Sequence, residues 1–139
     1  MADWVKGNIQ LSGKRSNLIQ FLLNGLIPLG NSIEIRNSNS KFEMKTPDSD
    51  YLFVYSNGHF VYSNRHYLSS DNITMDHQKS QKLECGFSAA YEIDTQLLES
   101  ISKTFSIDIE IWAKDENGDY LHKINIVSGE IIQDDLILT

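Results

Sequence analysis

The residues best suited to bind a metal ion or to act as a nucleophile are four histidines and one cysteine, which are scattered along the chain: His59, His66, His77, Cys85 and His122. No two of them have the spacing that zinc motifs use, so we predict no zinc site. The lone cysteine cannot form an internal disulfide, and the nearest basic residue in the sequence is Lys82. A reactive thiolate needs closer positive charge, so we predict an inert or buried thiol at Cys85.

One acidic segment imitates the start of a calcium-binding loop, because Asp115, Asn117 and Asp119 alternate along the chain. In an EF-hand loop the glycine follows the third of these ligands, whereas here it precedes it at Gly118. The position of the bidentate glutamate is held by Ile126, whose side chain has no ligand atom. A hairpin turn explains these residues better, and we predict no metal site.

Motifs of known catalytic mechanism are absent from the sequence. It contains no G-x-S-x-G, no G-x-x-x-x-G-K-[ST], no H-E-x-x-H and no G-x-G-x-x-G. We therefore predict a protein without enzymatic activity and without a cofactor. An enzyme whose site is assembled from ordinary polar residues is the alternative.

The charge of the chain is acidic and uneven. The net charge is −7, and residues 61–139 contain fourteen acidic but only six basic side chains, whereas residues 1–60 are close to neutral. An acidic surface repels phosphate backbones, so direct binding to nucleic acid is disfavoured. The acidic half either keeps the protein soluble as a solvated surface or attracts a basic partner protein.

The length of 139 residues predicts a single domain, residues 1–139, with enough chain to bury a core without disulfides. No apolar run approaches the roughly 20 residues of a membrane-spanning helix. The N-terminus lacks a basic region followed by an apolar stretch, so no secretory signal is expected. Together with the single cysteine, these features predict a cytoplasmic protein that does not bind membranes.

The first third of the chain predicts a strand, a helix and two short strands. The first strand covers residues 4–12, and the helix is capped by Ser16 or Asn17. Five apolar residues recur at helical spacing and must face a core: Leu18, Ile19, Leu22, Leu23 and Leu26. Short strands are predicted at residues 33–35 and 41–45.

An aromatic hairpin is predicted in the middle of the chain, where Asn57 and Gly58 suit a type I′ turn. Its register pairs Tyr55 with Phe60, Val54 with Val61, and Phe53 with Tyr62. Both faces of this hairpin, residues 51–62, are apolar, and only one of them can meet the core. Either the polar segment that follows covers the other face, or Tyr55, Phe60 and Tyr62 bind a protein or stack on RNA bases.

The polar segment, residues 63–82, is rich in Ser, Asn, Asp and Lys and is predicted to be an irregular excursion. A strand is predicted next, at residues 87–93. Asp94 or Thr95 then caps a second helix, which carries one apolar stripe: Leu97, Leu98, Ile101 and Phe105.

A second hairpin, residues 107–127, alternates apolar and polar residues around a predicted type I′ turn at 117–118. Its register commits one face to the core, with Ile109 opposite Ile126, Ile111 opposite Ile124 and His122 opposite Ala113. Trp112 then lies opposite Lys123 on the other face. We predict a partner-binding surface there, formed by two acidic residues beside the tryptophan and three at the hairpin tip: Asp108, Glu110, Trp112, Asp115, Glu116 and Asp119.

The order of elements is β-α-β followed by β-α-β-β, which is typical of an α+β protein. We predict a ferredoxin-like two-layer sandwich, with a mostly antiparallel sheet, two helices on one face and an extra β-hairpin. The helices should bury Leu22, Ile101 and Ile109 together. A free sheet edge would also permit a homodimer.

Two segments of the chain carry a family resemblance. The chain begins Met-Ala-Asp-Trp-Val-Lys-Gly-Asn and reaches Gly13 after its first strand, and its last third ends in a turn at Gly129 and Glu130. At residues 1–13 and 87–133 it resembles a ferredoxin-like domain family of small phage- and plasmid-encoded proteins, which usually begin Asn-Trp-Cys-x-Asn. It departs from them at Val5 and Lys6. The resemblance implies the same fold and a mobile-element origin, but no functional residues, because the family has no established catalytic motif.

Two functions follow from these observations. The first is a non-enzymatic, acidic interaction module of a phage or mobile element that acts in the host cytoplasm. An example is an anti-defence inhibitor of the anti-CRISPR type, which occupies a basic surface of a host protein. The second is an RNA- or nucleotide-binding ferredoxin-like domain that uses the aromatic hairpin at residues 51–62. The sequence does not identify the partner, the oligomeric state, the role of residues 63–82 or which hairpin is the functional one.

Overall fold

The structure is a computed structural model that describes residues 3–28, 34–45, 51–56, 59–60, 66–69 and 72–139. Two helices lie within these ranges, α1 (Arg15–Asn24) and α2 (Thr95–Phe105). The strands that the same ranges contain are β1 (Trp4–Lys14), β2 (Leu26–Pro28), β3 (Glu34–Asn37), β4 (Phe42–Lys45), β5 (Tyr51–Ser56), β6 (His59–Phe60), β7 (His66–Ser69), β8 (Asn72–Met75), β9 (Ser80–Ala90), β10 (Asp108–Asp115), β11 (Tyr120–Val127) and β12 (Glu130–Leu138).

The strands form one large sheet and one small sheet. The large sheet has the order β12-β11-β10-β1-β9-β7-β5-β2, with β6 paired to β5, and the small sheet has the order β3-β4-β8. Neighbouring strands are antiparallel throughout. The predicted α+β class with a mostly antiparallel sheet and two helices is therefore confirmed, although the sheet has more strands than the sequence predicts.

The central strand of the large sheet is β1. It pairs with β9 on one side and with β10 on the other, and α2 connects these two flanking strands. This connection is a split β-α-β unit, in which the two strands joined by the helix are separated by a third strand, here β1. Helix α1 makes a wider crossing, because β9, β7 and β5 all lie between β1 and β2.

Both helices pack on one face of the large sheet and contact each other. The rings of Phe21 and Phe105 meet edge to face, with their centroids 5.4 Å apart. Leu22, Ile101 and Ile109 are all buried in one hydrophobic cluster, as predicted. The small sheet contributes to the same core through the inner side chains of β4 and β8: Phe42, Met44, Ile73 and Met75.

The first helix begins earlier than the sequence predicts. Its N-cap residue is Lys14, whose side chain makes no capping hydrogen bond, so the capping role predicted for Ser16 or Asn17 is wrong. Instead the N–H of Arg15 donates to the carbonyl of Lys79, and the Arg15 guanidinium donates to the carbonyls of Asp76 and Ser38. Contacts with distant segments therefore take the place of a local cap.

The apolar stripe of α1 also differs in detail from the prediction. Leu18, Ile19 and Leu22 are buried as expected, and Phe21 joins them. Leu23 is instead 39% exposed, and Leu26 lies in β2. In α2 the capping prediction is confirmed for Asp94, because its Oδ1 accepts a hydrogen bond from the N–H of Leu97 at 3.1 Å.

The segment 63–82 is not an irregular excursion. It contains β7, β8 and the first residues of β9. Strand β8 alternates exposed and buried residues, with Ile73 and Met75 in the core, so its polar residues are simply the outward half of a strand. Strand β9 likewise starts at Ser80 and ends at Ala90, earlier than the predicted range of 87–93, because its pairing with β1 fixes both of its ends.

The structure describes the aromatic hairpin at two residue pairs next to its turn. Tyr55 pairs with Phe60 as predicted. Phe53 pairs with Tyr67 of β7 on one side and with Ile27 of β2 on the other, so the pairing predicted for Phe53 is wrong. The turn at 57–58 and the predicted partners Val61 and Tyr62 lie outside the residues that the structure describes. The ribbon is therefore an interior part of the sheet, with strands on both sides of β5.

The register of the second hairpin is confirmed at every predicted pair, including Trp112 opposite Lys123. Its turn is different, since Gly118 has a φ of 76° but Asn117 is not in the left-handed region. The N–H of Gly118 donates to the carbonyl of Asp115 at 2.9 Å, which makes a four-residue loop rather than a type I′ turn. A two-residue loop at 117–118 and a four-residue loop at 116–119 have the same centre, so both place the same residues of β10 and β11 opposite each other. The predicted register is therefore right although the predicted turn type is wrong.

The single cysteine is buried, as predicted, with 6% of its surface exposed. Burial, together with the nearby charge of Glu84, raises the pKa of the Cys85 thiol to about 11. Because the ordinary value is 9.0, the thiolate fraction at neutral pH should fall about a hundredfold. We expect Cys85 to react with a disulfide reagent at least that much more slowly in the native protein than in denaturant. Equal reaction rates under the two conditions would contradict its burial.

Candidate functional site

The large sheet has one covered face and one open face. Along β1, β9, β10 and β11 every second side chain points away from the helices. We call these outward residues the open face: Lys6, Asn8, Gln10, Lys82, Glu84, Glu110, Trp112, Lys114, Lys123 and Asn125. Towards β7 the same side of the sheet is closed, because Tyr67, Ser88 and Ala90 are buried.

Trp112 lies in the middle of the open face. It is 49% exposed, and its cross-strand neighbours are Asn8 of β1 and Lys123 of β11. Neither neighbour can remove the whole indole ring from water. An exposed tryptophan surrounded by polar residues is typical of the anchor of a protein interface.

The charges around Trp112 are mixed, because Lys123, which the sequence already predicted opposite it, is joined by Lys6 of β1. Glu110 lies opposite Gln10 and Asn125, and neither of these side chains carries a positive charge to balance its carboxylate. Lys114, by contrast, lies opposite Lys6, which comes from a distant part of the sequence. The immediate surroundings of the tryptophan thus contain both signs of charge, whereas the sequence alone predicted an acidic face.

The hairpin tip does not serve the predicted role as a whole. Asp115 is only 7% exposed, and its carboxylate accepts a hydrogen bond from the N–H of Asp119 at 3.3 Å. Glu116 is tied to Trp4, whose N–H donates to the Glu116 carboxylate at 3.0 Å. Asp115 therefore stabilises the turn and is removed from the predicted surface, and Glu116 holds β1 in place.

Acidic residues nevertheless dominate this end of the sheet. Residues 108–139, which form β10, β11, β12 and their turns, contain eight acidic and two basic side chains. Asp108 lies opposite Ser12, and its carboxylate accepts a hydrogen bond from the N–H of Ser128 at 3.0 Å. Asp119 is exposed in the turn between β10 and β11, and Glu130 is exposed at the start of β12. The end of the sheet formed by β10, β11 and β12 is therefore acidic, whereas the open face as defined above carries four lysines and two glutamates.

Strand β12 is a feature that the sequence reasoning passed over. It pairs with β11 and forms one edge of the large sheet. Four of its aliphatic side chains are strongly exposed: Ile132 at 60%, Leu136 at 56%, Ile137 at 42% and Leu138 at 80%. The signal was present in the sequence, as aliphatic residues on both sides of the pair Asp134 and Asp135, but only the strand order identifies β12 as an edge.

The predicted aromatic and acidic residues do not form one site. Tyr55 and Phe60 pair across β5 and β6, while Tyr62 lies outside the described ranges. Three strands, β1, β9 and β7, separate β5 from β10 in the sheet. The two hairpins are therefore distinct candidate surfaces.

The histidines with described side chains have structural surroundings or are exposed. His66 is 2% exposed, and its Nε2 accepts a hydrogen bond from the N–H of Asp94 at 2.9 Å. His122 contacts Asp134, with Nε2 2.5 Å from Oδ1. His77 is exposed. In the part of the chain that the structure covers, no three His, Cys, Asp or Glu residues are arranged to hold a metal ion.

No protein-family model, no curated protein and no solved structure matches the chain significantly. The resemblance to phage and plasmid proteins therefore stays a prediction. Neither of the helices described here is long and apolar enough to cross a membrane. A function for this chain is therefore proposed from its own geometry and charge.

Proposed function

We propose that this protein is a non-enzymatic interaction module whose acidic end binds a basic surface of another protein. The observation that carries the proposal is the half-exposed Trp112 in the centre of the open face, at the acidic end of the sheet. An inhibitor from a phage or mobile element, of the anti-CRISPR type, is the form of this function that the predicted family resemblance favours. A cytoplasmic location in the host is part of the same proposal.

The tryptophan and the acidic residues would contribute differently to binding. Burial of the exposed indole by a partner removes a large apolar surface from water, and such anchors supply most of the energy of an interface. The carboxylates of Glu110, Asp119 and Glu130 lie around it and act at longer range. They attract a basic partner and orient it before contact, which mainly increases the association rate.

The fold can be proposed in finer terms as an enlarged ferredoxin-like sandwich. The split β-α-β unit formed by β9, α2 and β10 around β1 supports this, because the ferredoxin-like fold contains two such units. The second unit, from β1 through α1 to β2, encloses three strands. The proposal thus treats part of β5–β9 as an insertion that widens the sheet.

RNA or nucleotide binding by the aromatic hairpin is the second candidate. The pairing of Tyr55 with Phe60 favours it, because stacked bases need adjacent aromatic residues. RNA binding would also need basic residues, and the nearest in the sequence are Lys41, Lys45 and Arg65, of which Arg65 lies outside the residues that the structure describes. Lys41 and Lys45 both form ion pairs with Glu43, at 3.1 and 3.2 Å, and these contacts lower the pKa of the Glu43 carboxyl. We therefore rank this function below protein binding.

The proposal predicts that Trp112→Ala weakens binding about 30-fold, mainly through faster dissociation, because hot-spot truncations cost about 2 kcal/mol. The double charge reversal of Asp108 and Glu110 to lysine should slow association and reduce its dependence on salt. The measurement is affinity capture from a bacterial lysate with the wild-type protein, followed by surface plasmon resonance with the purified partner.

The matched control for this experiment is Leu23→Ala, which truncates an exposed apolar residue on the helical side of the molecule. We expect it to leave the affinity unchanged. A variant that combines Trp112→Ala with both charge reversals and still binds with wild-type affinity would reject the open face and leave the aromatic hairpin as the candidate.

A further inference from the structure

The two edges of the large sheet differ in how well they are protected. At one end lies β2, which has three residues and ends in Pro28. Short strands and prolines are the usual means of preventing further strand addition. At the other end lies β12, which has nine residues without proline. Its outer backbone groups have no strand beside them in the described part of the chain, so this edge can accept one.

The side chains of β12 define two unlike sides of this edge. Leu136 and Leu138 stand opposite His122 and Tyr120, on the side of the sheet that carries the helices, and they are 56% and 80% exposed. Asp134 lies on the same side as the two leucines, where it contacts His122. Asp135 stands opposite Lys123 on the side of the open face, between Gln133 and the 42% exposed Ile137. A strand added here would therefore meet Leu136 and Leu138 on one side, with Asp134 already engaged by His122, and the carboxylate of Asp135 on the other.

A second copy of the chain fits this edge poorly. If two β12 strands paired antiparallel along their full length, the Asp134 side chains of the two copies would lie directly opposite each other. Like charges in that position destabilise a strand pair. Glu130 and Asp135 add further negative charge to each copy. Charge complementarity instead favours a basic segment from a different protein.

We propose that β12 docks an extended segment of a partner protein as an additional strand. The segment alternates lysine or arginine, on the side of Asp135, with aliphatic residues that contact Leu136 and Leu138. Backbone hydrogen bonds supply the affinity, and the alternating side chains supply the specificity. This inference rests on the proposed function, and it names the kind of partner segment that the acidic end of the sheet takes.

The test uses a synthetic peptide of alternating valine and lysine, blocked at both ends, with the full-length protein. We expect saturable binding by fluorescence anisotropy and slower amide hydrogen exchange in residues 130–138. N-methylation of alternate peptide nitrogens should weaken binding at least tenfold, because it removes the backbone donors. Asp135→Lys should weaken it about fivefold at low salt and less at high salt.

The control variant is Leu23→Ala, which truncates an exposed aliphatic residue of α1 and should not change peptide binding, because the peptide occupies the edge of the sheet. Absence of saturation, indifference to N-methylation, or exchange protection confined to other residues would overturn the inference. So would a dimer in light scattering that protects residues 130–138 without peptide, since the edge would then belong to a second copy. If the peptide does not bind but Trp112→Ala still weakens binding of the captured partner, the docking edge is refuted and the proposed function is not.

Discussion

Replacing Gly7 with alanine is expected to lower the free energy of unfolding by about 3 kcal/mol, because the added methyl group would enter the backbone of β10. A Cβ atom at this position would overlap the carbonyl oxygen of Trp112 and lie 2.6 Å from the Cα of Ala113. Backbone atoms at the centre of a sheet cannot move aside as a flexible side chain can. The strands β1 and β10 would have to separate, which would disrupt one of the two pairings of the central strand β1.

The matched control for Gly7→Ala is Gly118→Ala. Gly118 has a φ of 76°, but a Cβ atom there would have no other atom within 4 Å. Its replacement should cost only the left-handed strain, about 1 kcal/mol. Urea unfolding of the two variants measures the difference. If Gly7→Ala is no more destabilising than Gly118→Ala, the close approach of β1 to β10 is wrong.

Replacing Phe21 with alanine should cost about 4 kcal/mol, the usual range for deletion of a buried aromatic ring. Phe21 is 2% exposed and makes the edge-to-face contact with Phe105 that joins the two helices. Its loss leaves a cavity between α1, α2 and the sheet that the rigid surroundings can fill only in part. The measurement is again the free energy of unfolding in urea.

A neighbour on the same helix provides the control for Phe21. Leu23→Ala removes a residue that is 39% exposed and should cost less than 1 kcal/mol. A double-mutant cycle between Phe21→Ala and Phe105→Ala should give a coupling energy of about 1 kcal/mol. Strict additivity of the two substitutions would show that the rings do not interact. If Phe21→Ala does not fold, Phe21→Leu tests the same contact at lower cost.

The parts of the fold that could be predicted are those with strong local periodicity. The isoleucines of β10 and β11 alternate so regularly that a one-residue slip would turn them all to the open face, and the register was right. The cap at Asp94 was equally clear, because an aspartate precedes an apolar helical stripe. These signals depend on neighbours in the sequence and do not need the tertiary structure.

The parts that could not be predicted depend on distant residues. Strands β7 and β8 are four residues long and partly polar, too short for alternation to distinguish them from a loop. The start of α1 is fixed by the carbonyl groups of Lys79, Asp76 and Ser38, none of which is near it in the sequence. No pattern around Ser16 could indicate those contacts.

The candidate site shows the same division. The exposure of Trp112 followed from the strand alternation and was predicted correctly. The burial of Asp115 continues the same alternation as Ile111 and Ala113, and it was missed because Asp115 was assigned to the hairpin tip, whereas β10 extends to it through pairing with Val5 of β1. Lys6 reaches the open face through the same pairing of distant strands. Charge in the sequence therefore overestimated how acidic the open face is.

The central position of β1 has a consequence for how the protein is made. The ribosome synthesises β1 before both of its partners, and Ile9, for example, must wait for Cys85 and Ile111 before its strand is paired on either side. Until then the eleven residues of β1 have no partner strand on the nascent chain. Such a high contact order slows folding and exposes unpaired edges to other chains. Folding during translation can therefore be completed only after β10 has left the ribosomal tunnel, and chaperones that shield extended apolar segments would be needed earliest at β1.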